Sequence, residues 1–310
     1  MGARLRRVAF EARAKLNLGL AIGPKRADGF HDLATIFQSI SLADRLIATR
    51  ARRGFRLRVR HETVALAGTV ALSRVPSGAK NLVLRAARRV AARTGFRGGA
   101  RFELIKRVPA AAGLGGGSAD AAAAITALDV LYRLGLGPRG RAVIAAEIGS
   151  DVPFAIRGGT ALGLGRGDRL TPVRLASPFR ALIAVPRWGI PTARAYRQID
   201  RKKFGLTWWK AKLISAQNQA AKPVKPENAL GLGNTFEGVL GARRQDFLSL
   251  RGRLHAAGLS SIAMTGSGSA VFGLLDPGET FARVARRFRG TESLYAVRSM
   301  RAGLRRVAVE

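Results

Sequence analysis

The 310-residue chain has no cysteine. Disulfides, cysteine nucleophiles and thiolate metal sites are therefore excluded. Histidine occurs only at 31, 61 and 255, too sparsely for a His-rich metal site. Long apolar runs are missing too. Uninterrupted stretches such as Ala181 to Val185 fall far short of the ~18 residues that a membrane-spanning helix needs. The basic start (Arg4, Arg6, Arg7) leads into further charges at Glu11, Arg13 and Lys15 rather than an apolar segment, so no signal peptide is expected. A cytoplasmic location is the default expectation. Acidic residues are scarce: 19 Asp and Glu stand against 54 Lys and Arg, a net charge of +35.

That charge suits a nucleic-acid binder, but its distribution does not. Small groups such as Arg52-Arg53, Arg88-Arg89 and Arg243-Arg244 sit inside otherwise periodic segments and read as solvated faces. The balance implies attraction to anionic substrates rather than a dedicated nucleic-acid function. Any affinity for RNA or DNA is expected to be nonspecific and to fall steeply with salt, which a titration at two salt concentrations checks.

What is present is a hydrophobic content of 47%, enough to bury a sizeable core, and a length that suits two intimately packed domains. Arg7 to Leu20 alternates as a strand. Gly23 to Leu33 reads as a turn-rich loop, with Pro24 and Asp28-Gly29 as breakers. Strands are expected across "LATIFQSISLADRLIATR", "FRLRVR" and "ARFELIKRVP", and an amphipathic helix over Asn81 to Ala92. In the second half, "FRALIAVP" reads as a strand, "LSLRGRLHAAGL" as a helix and "SSIAMTGSGSAVFGLLD" as strand, glycine loop, strand. "ETFARVARRFRG" reads as a helix and "SLYAVRSM" as the closing strand. Thr207 to Leu230 is polar, helix-prone and partly linker-like. Strands and helices mix without regular βαβ alternation, which points to an α+β (mixed α/β) class.

The most informative stretch is "PAAAGLGGGSADAAAAITALDVLY", Pro109 to Tyr132. Four of the five residues from Gly113 to Gly117 are glycine, and a run of helix formers follows. Glycine lets the backbone take positive φ and approach a ligand closely. The first turn of a helix offers unpaired N–H groups and partial positive charge. A glycine loop feeding a helix N-terminus is thus a phosphate cradle. Ser118 is expected as the N-cap and as a candidate for a phosphate oxygen or its metal ion. No lysine follows the glycines, so this is not a Walker loop. Ser118 stands where a dinucleotide fingerprint needs its third glycine.

The combination resembles the GHMP kinases, the galactokinase, homoserine, mevalonate and phosphomevalonate kinase superfamily. "PAAAGLGGGSADAAAA" is similar to its signature loop, "AKLNLGLAIGPKRADGFHDLATIFQSI" to its N-terminal motif and "MTGSGSAVFGLL" to its C-terminal glycine loop, in the expected order. The first of these N-terminal segments, together with "GSDVPFAIRGGTALGLGRGDRLTPV", resembles the isoprenoid-precursor branch that acts on a cytidine diphosphate-linked methylerythritol. The resemblance covers nearly the whole chain. It implies a two-domain GHMP kinase fold, with residues 1–165 as an N-terminal domain similar to ribosomal protein S5 domain 2 and residues 166–310 as a C-terminal GHMP domain. It implies ATP and Mg2+ as cofactors and a small-molecule substrate, with no membrane and no specific nucleic acid as partner; the oligomeric state stays open. It places the ATP phosphates on Pro109, Ala110, Ala111, Ala112, Gly113, Leu114, Gly115, Gly116, Gly117, Ser118 and Ala119. It makes Lys15 and Asp151 the catalytic pair, although by themselves a lysine in a strand and an aspartate after Gly149-Ser150 read as a solvated residue and a helix cap. It assigns the cytidine to stacking by Phe30 and Tyr196 and a base-edge hydrogen bond from His31, with Asn17 and Thr192 lining the pocket. At position 30 many relatives carry tyrosine, and at 196 phenylalanine. The stretch Arg201 to Lys225, with Trp208-Trp209, has no counterpart in the pattern and reads as a lid, an insertion or a contact site.

Overall fold

A computed structural model describes residues 5–68, 75–202 and 205–309. The chain opens with β1 (Arg7–Lys25), β2 (His31–Ala51) and β3 (Gly54–His61), followed by α1 (Leu82–Thr94) and β4 (Gly99–Lys106). The glycine loop leads into α2 (Gly116–Tyr132), then α3 (Gly137–Ile148), α4 (Val152–Arg157), β5 (Thr160–Gly165), β6 (Arg169–Pro172) and β7 (Arg180–Val185). Next come α5 (Thr192–Lys202), α6 (Leu206–Ala220), α7 (Pro226–Leu230), α8 (Arg244–Ala256), β8 (Leu259–Met264) and β9 (Val271–Leu275). The chain ends with α9 (Phe281–Arg287), β10 (Ser293–Arg298) and β11 (Leu304–Val307).

Two sheets organise these elements. The seven-stranded sheet runs β11-β1-β2-β4-β3, with β5 also on β2 and β6 on β5. Among the described strand pairs of this sheet, only β3–β4 is parallel. β2 is long enough to pair β5 through Leu33–Gln38 and β4 through Arg45–Ala51. The second sheet, β10-β7-β9-β8, is wholly antiparallel. This is the α+β class expected. Helices α1, α2 and α3 cover one face of the large sheet, where Val83, Val90, Leu128 and Ile144 pack against Leu46, Phe102 and Leu104. Arg85, Arg88 and Arg89 alternate with this apolar face and stay outside.

Three local differences from the sequence expectations have physical causes. The turn between β1 and β2 is confined to 26–30, because Lys25 already pairs with His31 and Ile22 with Leu33. A further strand, β11, follows the expected last one and adds to the edge of β1 from Ala9 to Ala12. Thr207 to Leu230 is no linker: α6 and α7 occupy it, and the Trp209 indole is buried over Gly23, whose missing Cβ would sit 2.6 Å from the ring. Through Trp209 and Ala216, α6 packs one face on the core. Residues 203–204, within the Arg201–Lys225 stretch, lie outside the described residues.

Candidate active site

The strand β1 carries two site residues at its irregularities. Its register with β2 shifts between Arg13 and Lys15 and again between Asn17 and Gly19. Such bulges re-aim side chains next to active sites. Lys15 is buried, and its backbone N–H donates to Leu114 O at 2.9 Å, which ties the strand to the glycine loop. Its Nζ donates to Asn17 Oδ1 at 2.5 Å and lies 3.7 Å from Asp151 Oδ2. Burial pulls the Lys15 ammonium below its usual range, and the charge of Asp151 works against that pull. Asp151 stands at the N-cap position of α4, yet its side chain makes no capping hydrogen bond. It is turned to Lys15 instead.

Asn17 uses its whole amide. Nδ2 donates to Thr35 Oγ1 at 2.8 Å, and Oδ1 accepts from Lys15 and from the Gly266 N–H at 3.0 Å. It thereby joins β1 to the second glycine loop, between β8 and β9. The two glycine loops also touch each other through backbone. Gly113 has φ +79°, and a Cβ there would come within 2.2 Å of Thr265 O. The Ala270 N–H donates to Ala112 O at 3.1 Å.

Helix α2 begins at Gly116, with Gly115 as its N-cap at φ +69°. A Cβ on Gly115 would press on Lys15, 3.0 Å from Cγ. Ser118 therefore lies inside the first turn and is not the N-cap expected from its type. The N–H of Ala119 is the first spent inside the helix, on Gly115 O at 3.0 Å. Helix geometry leaves the N–H groups of Gly116, Gly117 and Ser118 without a partner inside the helix. Ala119 itself is buried in the core behind the cradle.

Beneath that first turn lies an ion cluster that the sequence reading missed. Lys106, at the end of β4, bonds to Asp44 and, at 2.8 Å, to Asp120 Oδ2 of α2; all three are buried. Asp44 Oδ1 also accepts from the N–H groups of Arg107 and Val108, at 2.6 and 2.9 Å, directly before the loop. Two carboxylates share one ammonium. Burial and the nearby Asp44 charge therefore hold Asp120 above the usual carboxylate range, while the two carboxylates outweigh burial and hold Lys106 above the usual ammonium range.

The site opens on one cavity of about 1010 Å³. Lys15, Asn17, Asp151 and the loop from Pro109 to Ser118 line it, and so do Phe30, His31, Thr192 and Tyr196. Six cations (Lys15, Lys25, Lys80, Lys106, Arg166, Arg197) line it against three carboxylates (Asp120, Asp151, Asp200), a balance that favours anionic ligands. The aromatic end is arranged differently from a simple pair of facing rings. Tyr196 stacks on the His31 ring at 5.2 Å between centroids and 28° between planes. Its other contact is edge-on with Phe236 at 5.1 Å. Phe30 is half exposed, with the Arg166 guanidinium 4.9 Å from its centroid. Burial pushes the Tyr196 hydroxyl up to about 12, and the charge of Asp151 adds to this. Thr192 Oγ1 lies 3.0 Å from Ser267 Oγ of the second glycine loop.

Residues 81–159 match the family described as GHMP kinases N terminal domain. Together with the fold and the loop-to-helix cradle, that match defines an ATP-dependent small-molecule kinase of this class. A 4-diphosphocytidyl-2-C-methyl-D-erythritol kinase from Moorella thermoacetica is 41% identical over 284 residues, spanning 90% of this chain and 94% of its own length. Its counterpart from Pelotomaculum thermopropionicum is 40% identical over 281 residues, with 91% and 93% covered. A crystal structure of a 4-(cytidine 5'-diphospho)-2C-methyl-D-erythritol kinase superimposes with a TM-score of 0.72 at 33% identity, covering 94% of this chain and 98% of that one. The chain belongs to the family of 4-diphosphocytidyl-2-C-methyl-D-erythritol kinases.

Proposed function

We propose that the chain transfers the γ-phosphoryl group of ATP to the 2-hydroxyl of 4-diphosphocytidyl-2-C-methyl-D-erythritol, a step toward isoprenoid precursors. One observation carries this reading. The Lys15–Asp151 pair stands beside the open end of α2 in the same cavity as the stacked His31 and Tyr196 rings. The pair and the helix end suit phosphoryl transfer to an alcohol, and the rings suit a nucleobase.

In this reading the loop from Pro109 to Ser118 holds the ATP phosphates. Asp151 accepts the proton of the 2-hydroxyl as its oxygen attacks the γ-phosphorus. The bond from that phosphorus to the bridging oxygen breaks, and ADP leaves. A positioned base of this kind contributes about 10²–10⁴-fold. Lys15, 3.7 Å from the Asp151 carboxylate, stabilises the charge developing on the attacking oxygen. Asn17 holds the Lys15 ammonium in place from the other side.

Mg2+ fits the residues at the cradle. The Ser118 hydroxyl stands in the first turn of α2 on the cavity wall, an oxygen donor of the kind this ion takes. Among the described residues no group of three or more His, Asp or Glu gathers for a metal, so the phosphates would supply most of the ligands. Ser118 would hold the ion, which would neutralise charge on the transferring group.

Steady-state kinetics with Tyr196→Ala test the reading. Loss of a ring from a base stack costs about 1–3 kcal/mol, so kcat/KM for the cytidyl substrate should fall roughly ten- to a hundredfold. ATP affinity should be unchanged. Methylerythritol phosphate without its cytidylyl group should be a very poor substrate, because remote binding energy helps drive the chemical step. Equal turnover of that truncated alcohol would favour a different GHMP kinase.

A further inference from the structure

Helix α5 bears Thr192, Tyr196 and Asp200 at intervals of four, so one face presents all three to the cavity. Thr192 meets the second glycine loop and Tyr196 stacks on His31. Asp200 closes the strip with two partners. Lys25 Nζ donates to Oδ2 at 3.1 Å, and His31 Nε2 lies 2.9 Å from Oδ1. No role falls to Asp200 or Lys25 in the transfer chemistry.

We propose that Asp200 is a positioning residue for nucleobase selection: its carboxylate fixes the His31 proton on Nε2, which leaves Nδ1 as a hydrogen-bond acceptor for the exocyclic amino group of cytosine. The inference rests on the reading above, in which His31 meets the base edge.

An ionised carboxylate accepts hydrogen bonds and donates none. Partial burial raises the pKa of Asp200, but the hydrogen bonds from Lys25 and His31 and the charge of Lys25 outweigh it and hold the group below its ordinary range. The 2.9 Å contact is therefore donated by His31 Nε2–H. In a neutral imidazole one nitrogen carries the proton and the other accepts. Fixing Nε2 as the donor makes Nδ1 the acceptor.

The ring has little freedom to trade the two nitrogens. The His31 side chain is 6% exposed, Tyr196 lies on its face, and Phe236 supports Tyr196 edge-on from beyond. A ring flip would break the Asp200 bond. Cytosine and uracil differ at the position such an acceptor reads: cytosine presents an amino donor there, uracil a carbonyl oxygen. An Nδ1 lone pair bonds the first and opposes the second. A site built around one hydrogen bond discriminates strongly, because the wrong ligand leaves buried polar groups unpaired. Lys25 completes the device. It balances the Asp200 charge, so the carboxylate orients the ring without placing a net negative charge beside the base.

A plainer role for Lys25 and Asp200 is an exposed ion pair that pins α5 to β1, worth about 0–1 kcal/mol. Such a pair would shift the melting temperature slightly and leave the tautomer and substrate choice alone.

The chain's three histidines make the tautomer directly readable by 15N NMR. Wild-type protein should show His31 protonated at Nε2 and bare at Nδ1. Asp200→Ala should turn that signal into a mixture. It should also raise KM for the cytidyl substrate by about tenfold, with kcat at saturation within about twofold, and reduce the preference for cytidine over uridine by a similar factor. Asp200→Asn keeps a carbonyl acceptor and should fall between. His31→Ala is the control. If it leaves cytidyl KM unchanged, His31 does not read the base and the underlying reading of this pocket fails. If His31→Ala raises KM while Asp200→Ala moves neither KM nor the tautomer, the present inference alone is overturned. A lowered melting temperature with both readouts unchanged makes Asp200 a surface ion pair and overturns it equally.

Discussion

Asp151→Asn is expected to lower kcat by at least ~10²-fold while ATP still binds. Asparagine keeps the shape of the side chain and loses its ability to take a proton, so the change isolates basicity. The geometry favours a large effect. Asp151 is spared from capping α4 and is turned to a lysine whose ammonium is itself held by Asn17. A carboxylate so placed is free to act on a hydroxyl brought to the cradle, and general-base catalysis is typically worth ~10²–10⁴-fold. Lys15→Met should be severely impaired too, since it removes the cation beside both the base and the transferring group. The double variant should be little worse than the worse single one, because the two act as a unit. Near-normal turnover of Asp151→Asn in a coupled assay, with ATP binding intact by calorimetry, would take the base away from Asp151.

Much of this site is legible in the chain because its pieces are local. The glycine loop and its helix sit within Pro109 to Tyr132, and elementary helix electrostatics say what such a junction binds. Strand alternation is clear wherever one face is wet, as in β3, where Phe55, Leu57 and Val59 alternate with arginines. Ser118 shows how far residue type reaches. Serine is a common N-cap, but the close approach of Lys15 and the Thr265 backbone requires glycine conformations at Gly113 and Gly115, and these start the helix earlier.

What stayed hidden depends on distant partners. Lys106 reads as the end of an alternating strand. Its meaning comes from Asp44, 62 residues away, and from Asp120 across the loop. Asp200 carries no signal of its own until His31, 169 residues earlier, is folded against it. β11 is four residues long and two of them are arginine, so it carries no periodic signal; its partner β1 is at the other end of the chain. Trp209 sits in a polar stretch that looks like a linker, and only the space above Gly23 explains where the indole goes.

The buried cluster leads to the second large effect, this time on stability. Lys106→Met should destabilise the fold by about 3–5 kcal/mol at neutral pH, the usual cost of removing one partner from a buried ion pair. Methionine approximates the aliphatic stem, so packing is largely kept and the loss is of charge. Asp44 and Asp120 would then face each other without the ammonium that separates them. The pH dependence identifies the cause. Asp120 already has a raised pKa in the folded protein, so the folded state holds its proton where the unfolded chain has lost it. Its contribution is therefore most favourable at low pH and declines as pH rises through and above the ordinary carboxylate range. Without Lys106 nothing offsets the burial that raises the Asp120 carboxyl. The penalty should be small near pH 4, where Asp120 can hold its proton, and should grow toward pH 7. Lys106 in the wild type has its own pKa raised and keeps its charge across that window. Asp120→Asn provides the contrast. It keeps an acceptor for Lys106 and removes the surplus negative charge, so it should cost far less than Lys106→Met. Urea unfolding of the three proteins at pH 4, 5.5 and 7 measures this. A Lys106→Met penalty that is flat with pH, or an Asp120→Asn penalty of the same size, would mean that packing rather than charge holds this layer beneath the glycine loop.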